Sequence, residues 1–122
     1  MSHSYRDLVV WQKSKQLAIS VCIQVRKFPK DEIFGLTSQI RRAAVSVPSN
    51  IAEGQGRLTK GEFLHFLGLS RGSLLELETQ LEISVELGYL TQKDQSELFD
   101  KTAEVLRLLN GLIDSMRKGT KG

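Results

Sequence analysis

The sequence has few of the residues that mark several common kinds of protein. It contains one cysteine, Cys22, so an internal disulfide framework is excluded and a reducing cytoplasm is expected. Two prolines and ten glycines are too few for the many turns of an all-β fold. No apolar run is long enough to span a bilayer, and residues 1–7 lack the apolar stretch of a secretory signal. We therefore expect a small cytoplasmic protein, rich in helix, with no membrane partner.

The chain has the length and the balance of one globular domain. Its 122 residues leave no room for a second independent core, so a single domain over residues 1–122 is predicted. Apolar residues make up 40% of the chain and charged residues 25%, which argues against disorder.

Caps and hydrophobic periods predict four helices, over residues 5–28, 33–53, 60–87 and 92–117. Three of them begin at motifs of the capping-box type, namely Ser4-x-x-Asp7, Thr59-x-x-Glu62 and Thr91-x-x-Asp94. Pro48 predicts a kink in the second helix, or two abutting helices, because proline lacks the backbone donor. Gly54 and Gly56 are expected to end that helix. Short connections make neighbours antiparallel, so the fold class is all-α, an antiparallel up-down-up-down four-helix bundle.

The third predicted helix has apolar residues on more than one side. Opposite its core stripe lies a row of small residues with apolar flanks: Gly61, Leu64, Gly68, Gly72, Leu75, Thr79 and Ile83. Each glycine inside a helix costs about 1 kcal/mol relative to alanine, and a row of glycines lets another backbone approach closely. We interpret this row as an oligomer interface, with drift on a solvated face as the alternative.

Charge is distributed unevenly along the chain. Residues 1–75 carry a net charge of +6, residues 76–114 carry −6, and the whole chain carries +3. The basic part suggests a nucleic-acid surface formed by Lys13, Lys15, Arg26, Lys27, Arg41, Arg42, Arg57, Lys60 and Arg71. Exposed aromatic residues are not interleaved with these cations, so electrostatic binding of weak sequence specificity is expected. The alternative is that the charges only solvate helix faces.

The acidic part contains a ladder of like charges. Glu78, Glu82 and Glu86 follow one another at one-turn spacing with no lysine between them. Such a ladder destabilises an isolated helix slightly. A basic partner, such as the arginine of a neighbouring subunit, would relieve the repulsion.

Catalytic signatures are weak throughout the chain. Glu62-x-x-His65 is one half of a di-iron motif, but the second histidine is His3, at the start of the chain. Cys22 falls on the predicted core face of the first helix, where a thiol is inert. A serine-hydrolase elbow, a phosphate cradle and any other cofactor motif are missing. We expect no enzyme activity, no metal and no cofactor.

A polar cluster is predicted around Pro48. Arg42, Ser49 and Glu53 fall near one azimuth of the second helix, and Asn50 lies beside them. These side chains could satisfy backbone groups that Pro48 frees, or pair with one another. A polar recognition surface is the alternative.

One segment is more specific than any of these patterns. Residues 34–54, read as Phe34-Gly-Leu-Thr-Ser-Gln-Ile-Arg-Arg-Ala-Ala-Val-Ser-Val-Pro-Ser-Asn-Ile-Ala-Glu-Gly54, resemble the four-helix-bundle proteins encoded by intervening sequences of bacterial 23S rRNA genes. Further landmarks of the same resemblance are Val10-Trp11-Gln-Lys13, Phe28-Pro29, Glu62-Phe63-Leu64, Gly72-Ser-Leu-Leu-Glu-Leu-Glu-Thr-Gln80 and Leu87-Gly-Tyr-Leu90. Together they cover nearly the whole chain.

The resemblance implies an antiparallel four-helix bundle that assembles into a ring-like homopentamer without known catalytic activity. A relative, the accessory variability determinant of diversity-generating retroelements, is implied to have the same fold and to bind a reverse transcriptase and its template RNA. Three hypotheses therefore remain open. They are an oligomer that binds RNA, a protein-interaction scaffold, for example for a reverse transcriptase, and a product of an intervening sequence with no selected role.

Overall fold

The computed structural model describes residues 4–119 and consists of helices. The four long elements are α1 (Val9–Gln24), α2 (Leu36–Gln55), α3 (Lys60–Glu86) and α4 (Gln92–Gly119). Three short 3₁₀ turns, Tyr5–Asp7, Val25–Lys27 and Lys30–Glu32, lie beside α1 and before α2. No strand occurs within residues 4–119, and the predicted all-α class is confirmed.

Each helix packs against two others. Contacts join α1 to α2, α2 to α3, α3 to α4 and α4 back to α1, and the two diagonal pairs do not meet within the described residues. The helices therefore occupy the corners of a square, in chain order. The side formed by α1 and α2 lies opposite the side formed by α3 and α4.

Contacts between helices show how neighbours run. Between α1 and α4, Lys27 bonds to Asp94 and Lys13 approaches Glu104, so the residue numbers change in opposite directions. The α2–α3 pair is antiparallel in the same way, because Ser70 donates to the Val47 carbonyl while the earlier residue Phe66 lies against the later residue Gly54. In the α3–α4 pair, Arg71 bonds to Asn110 while Glu82 and Phe99 line one cavity. The bundle is antiparallel throughout, as predicted.

Two of the three predicted capping boxes start their helices. The Thr59 hydroxyl accepts the Glu62 N–H at 3.1 Å, and the Thr91 hydroxyl accepts the Asp94 N–H at 3.1 Å. The third motif gives only a turn, because the Ser4 hydroxyl accepts the Arg6 N–H of the 3₁₀ turn. Leu8 then has an extended backbone, so α1 begins at Val9 rather than near residue 5.

The end of α3 follows the pattern that its glycine predicts. Gly88 has a φ of +77°, in the left-handed region that glycine adopts without a steric penalty. The Tyr89 N–H donates to the Ser84 carbonyl, and the Gly88 N–H donates to the Val85 carbonyl, which is the Schellman pattern. The Tyr89 hydroxyl then donates to Glu32 Oε2 at 2.8 Å and ties this turn to the α1–α2 connection.

Helix α2 is one helix through Pro48, which excludes two abutting helices, one of the two alternatives that the sequence predicted. Pro48 is buried in the middle of the element. Side chains support the carbonyls around it, since Ser46 donates to Ala43 and Ser49 donates to Val45. The helix begins at Leu36, later than predicted, because the 3₁₀ turn Lys30–Glu32 uses the preceding residues.

Gly54 was predicted to end α2, but it lies inside the last turn of the helix, where α2 crosses α3. A Cβ at Gly54 would lie 2.6 Å from the Phe66 Cβ and 3.1 Å from the Phe63 Cδ1. No side chain fits in that space, so the closeness of the two helices at this crossing requires glycine. Gly56 caps the helix from outside.

The core runs the length of the bundle. The apolar residues Ile40, Ala43, Ala44, Val47 and Ile51 form a buried core stripe on α2, and α3 contributes four fully buried leucines, Leu67, Leu74, Leu77 and Leu81. Cys22 was expected among these core residues and is only half-buried, on the outer side of α1. Cys22 lines a shallow surface groove with Ile23 and Val45, so it lies at the edge of the core and not inside it.

Candidate nucleic-acid and subunit interfaces

The square arrangement separates charge by side. Residues 8–30 and 33–52 contain no aspartate or glutamate, and they form nearly all of α1 and α2. Residues 72–92 contain no lysine or arginine and carry four glutamates of α3. Because all neighbours are antiparallel, the 3₁₀ turn that follows α1, with Arg26 and Lys27, lies at the same height as the acidic C-terminal half of α3, on the opposite side.

Three of the nine predicted nucleic-acid contacts form ion pairs. Lys27 Nζ lies 2.7 Å from Asp94 Oδ2, Arg57 Nη2 lies 2.6 Å from Glu53 Oε2, and Lys13 Nζ lies 3.8 Å from Glu104 Oε1. The hydrogen bond from Lys27 lowers the pKa of Asp94 below its ordinary value, with a further bond from Thr91. These three cations are partly neutralised before any ligand arrives.

The remaining six predicted contacts lie in four places. Arg26, Arg41 and Arg42 are exposed on the α1/α2 side. Lys15 lies over the Trp11 ring, 5.1 Å from its centroid. Arg71 lies on the α3/α4 side, where its Nε donates to Asn110 Oδ1 at 2.8 Å. The ninth residue, Lys60, belongs to one end of the bundle.

That end, which we call the basic end, is where α2 finishes, α3 begins and α4 finishes. It consists of Arg57, Lys60, Arg117 and Lys118, all exposed. Lys60 Nζ lies 3.0 Å from the position that a Cβ on Gly119 would occupy, so α3 and α4 meet here. The Arg57 guanidinium lies 4.6 Å from the Phe66 ring centroid, which holds it beside the others.

Sequence reasoning did not include Arg117 and Lys118 among the candidate contacts. Both lie in the last turn of α4, and only the antiparallel packing brings them to Lys60. The signal was present in the basic residues of the C-terminal tail, but their neighbour could not be known without the fold.

The predicted polar cluster of α2 divides into separate contacts. Glu53 pairs with Arg57 one turn later and not with Arg42. Ser49 and Asn50 bond to carbonyls of their own helix, at Val45 and Ser46. Three members thus have structural partners, while Arg42 has no ion pair among residues 4–119.

The predicted interface row lies open on the surface of α3. A Cβ at Gly61, Gly68 or Gly72 would meet nothing within 4 Å. Leu64 is partly buried, while Leu75, Thr79 and Ile83 are exposed. The row therefore exposes backbone and apolar groups to whatever covers this side of the bundle.

Two apolar side chains on the connections are almost fully exposed. Phe34 is 95% exposed on the α1–α2 connection, and Leu58 is 98% exposed on the α2–α3 connection. Phe34 is an aromatic surface residue that the charge pattern did not predict. Each falls in a connection, where hydrophobic periodicity gives no indication of burial.

Within residues 4–119 no group of three or more histidine, cysteine, aspartate or glutamate side chains is placed to hold a metal ion. His65 is exposed and packs edge-on against Phe66, and His3 lies outside the described residues. None of the described helices combines the length and apolar character that crossing a bilayer requires.

Comparison with known proteins gives one family and one fold. Residues 6–111 match the family model described as 23S rRNA-intervening sequence protein. The chain is similar to the crystal structure of a protein of unknown function from the S23 ribosomal protein family of Bacteroides thetaiotaomicron, with a TM-score of 0.80 and 23% identity. The alignment covers 87% of this chain and 96% of that one. No curated protein matches. With its helical bundle and a family match over most of its length, the chain belongs to the 23S rRNA-intervening sequence proteins.

Proposed function

We propose that the protein is a non-enzymatic homo-oligomer that binds RNA through a basic surface. The observation that carries this proposal is the convergence of Arg57, Lys60 and Lys118 at one end of the bundle. Lys60 and Lys118 form no ion pair within residues 4–119, so together with the partly neutralised Arg57 they give a local positive field that attracts phosphates. RNA is the first polyanion to test, because the family resemblance includes a relative, the accessory variability determinant, that is implied to bind a template RNA.

Binding would be electrostatic and multiplied by assembly. Lysine and arginine contacts to phosphates release counterions, so affinity falls steeply as salt rises. A pentamer, the stoichiometry favoured by the family resemblance, would have a mass of about 68 kDa and a net charge of +15 from five copies at +3. Weak contacts in each copy would then add through avidity.

Fluorescence anisotropy with labelled duplex and single-stranded RNA tests the proposal. Lys60→Glu combined with Lys118→Glu should weaken binding at least about tenfold and lower the salt slope by roughly one per lysine. Lys93→Glu combined with Lys101→Glu changes the net charge equally, on α4 away from the basic end, and is the matched control. Equal losses in both variants, or no binding by the unaltered protein at low salt, would contradict the proposal.

A protein-interaction scaffold is the second candidate function, favoured by Phe34. A phenylalanine with 95% exposure on a connection is an apolar contact suited to another protein. The partner class carried by the family resemblance is a reverse transcriptase. A pull-down with purified enzyme after nuclease treatment tests this, and Phe34→Ser should abolish capture while leaving RNA binding unchanged.

A further inference from the structure

Two opposite sides of the bundle have complementary chemistry at the same height. The first, which we call the arginine groove, lies between α1 and α2. Ala18, Ile19, Cys22, Ile23, Arg26 and Val45 line it, and its volume is about 320 Å³. Ile19, Ile23 and Val45 are each about half exposed, which is unusual for three adjoining aliphatic residues.

Arginines border this apolar surface, and no carboxylate lines it. Arg26 lines the groove itself, and Arg41 lies one turn before Val45 on α2. Arg42 follows on the same helix and is exposed. Because residues 8–30 and 33–52 contain no acidic side chain, α1 and this stretch of α2 offer these arginines no carboxylate partner.

The second surface, the glutamate groove, lies between α3 and α4. Leu75, Glu78, Thr79, Glu82, Phe99 and Thr102 line a groove of about 440 Å³. It continues into a smaller cavity lined by Glu82, Val85, Glu86, Gln95 and Phe99. No basic side chain lines either part, and Glu78, Glu82 and Glu86 form no ion pair within residues 4–119.

We propose that the arginine groove of one copy docks onto the glutamate groove of a second copy. This inference rests on the homo-oligomer of the proposed function and assigns its two surfaces. Arg26, Arg41 and Arg42 would face Glu78, Glu82 and Glu86, whose one-turn spacing of about 6 Å forms a row of carboxylates. The half-exposed aliphatic residues would pack on Leu75 and Phe99, as interface cores do.

The position of the two grooves determines the form of the assembly. They lie on opposite sides of the square and at one height, since α1 and α3 both reach that height in their C-terminal halves. Each copy therefore uses one groove for each neighbour, which is a heterologous contact that closes into a ring when the rotation permits. The arginines of this contact would not bind RNA, and the basic end would remain open.

A charge-swap experiment, read as mass by light scattering after size exclusion, tests this docking. The unaltered protein should have a multiple of the 13.7 kDa chain mass. Arg26→Glu with Arg41→Glu should reduce the mass to one chain, and so should Glu78→Lys with Glu82→Lys. A chain carrying all four substitutions should recover the multiple, because the grooves are again complementary.

A charge-matched control and a replacement variant make each outcome of this experiment decisive. Lys93→Glu with Lys101→Glu matches the arginine reversals in charge, lies outside both grooves and should leave the mass unchanged. If a charge-reversed variant loses its helical circular-dichroism spectrum, the Thr79→Arg variant is used in its place. Thr79 is exposed, and the larger arginine side chain would fill the glutamate groove. A four-substitution chain that folds but stays at one chain mass would overturn the docking.

The same samples separate this inference from the proposed function. If the reversed variants keep the mass of the unaltered oligomer, the docking is wrong and the homo-oligomer stands. If the unaltered protein has the mass of one chain, both the docking and the homo-oligomer are wrong. RNA binding lost only on altering Lys60 and Lys118 would support the basic end in either case.

Discussion

Gly54→Ala is the substitution whose effect follows most directly from the structure. A Cβ at this position would lie 2.6 Å from the Phe66 Cβ, whereas carbon atoms in contact are about 3.5–4.0 Å apart. The Phe66 Cβ is fixed to its backbone and cannot rotate away. The α2 and α3 backbones would have to separate by about 1 Å.

The size of the effect is a difference between two terms. Overpacking a close contact lowers the free energy of unfolding by about 1–3 kcal/mol. We expect a cost near the upper end of this range, because the Phe66 Cβ is fixed to the backbone. Alanine returns about 1 kcal/mol through its higher helix propensity. We expect a net loss of about 2 kcal/mol, which lowers Tm by roughly 5–10 °C for a chain of this size.

Gly111→Ala is the matched control, because a Cβ at Gly111 in α4 would meet nothing within 4 Å. It should raise Tm by a few degrees through the same propensity term. Thermal unfolding followed by circular dichroism at one protein concentration measures both, since association makes Tm depend on concentration. A Gly54→Ala protein as stable as the unaltered one would refute the packing argument.

Three further predictions concern the caps, an ion pair and the open face. Gly88→Ala should cost roughly 1–2 kcal/mol in urea unfolding, because alanine is strained at a φ of +77°. The lowered pKa of Asp94 stabilises the fold above the unfolded pKa, and this contribution is lost as pH falls through the folded value, below about 4. Asp94→Asn should therefore lower Tm at pH 7 and converge with the unaltered protein in acid. Gly68→Leu should reduce the oligomer mass while leaving the helical spectrum intact, since Gly68 is open in the single chain.

Each of these has a result that would contradict it. Unchanged stability for Gly88→Ala would mean that the α3 end relaxes to another turn. A Tm difference for Asp94→Asn that persists at pH 3 would show that the carboxylate's charge is not its source. An unchanged oligomer with Gly68→Leu would remove the open face of α3 from the interface.

Much of the fold could be predicted from neighbouring residues. The caps at Thr59 and Thr91 and the glycine turn at Gly88 involve residues three to five positions apart, so their hydrogen bonds can be read from the chain. The Ser4 motif failed because Leu8 adopts an extended backbone before α1. A capping motif reports a local hydrogen bond but not how far the helix continues.

The candidate sites depended more on packing. Of the nine predicted cations, Lys27 and Lys13 pair with carboxylates of α4, far away in sequence. Lys118 lies at the same end of the bundle as Lys60 only because α4 returns to where α3 begins, and there Lys60 approaches Gly119. No spacing in the chain reports such distances, since they depend on how the helices pack.

The number of helices, most of their caps, the core stripe of α2 and the family could all be read from the chain alone. These follow from hydrogen bonds and hydrophobic periods that act over a few residues. Three features depend on how the helices pack: Gly54 lies where α2 crosses α3, Cys22 lies outside the core, and the basic and acidic grooves lie on opposite sides. The physical reason is that burial, close approach and the field around a charge depend on atoms brought together from distant parts of the chain.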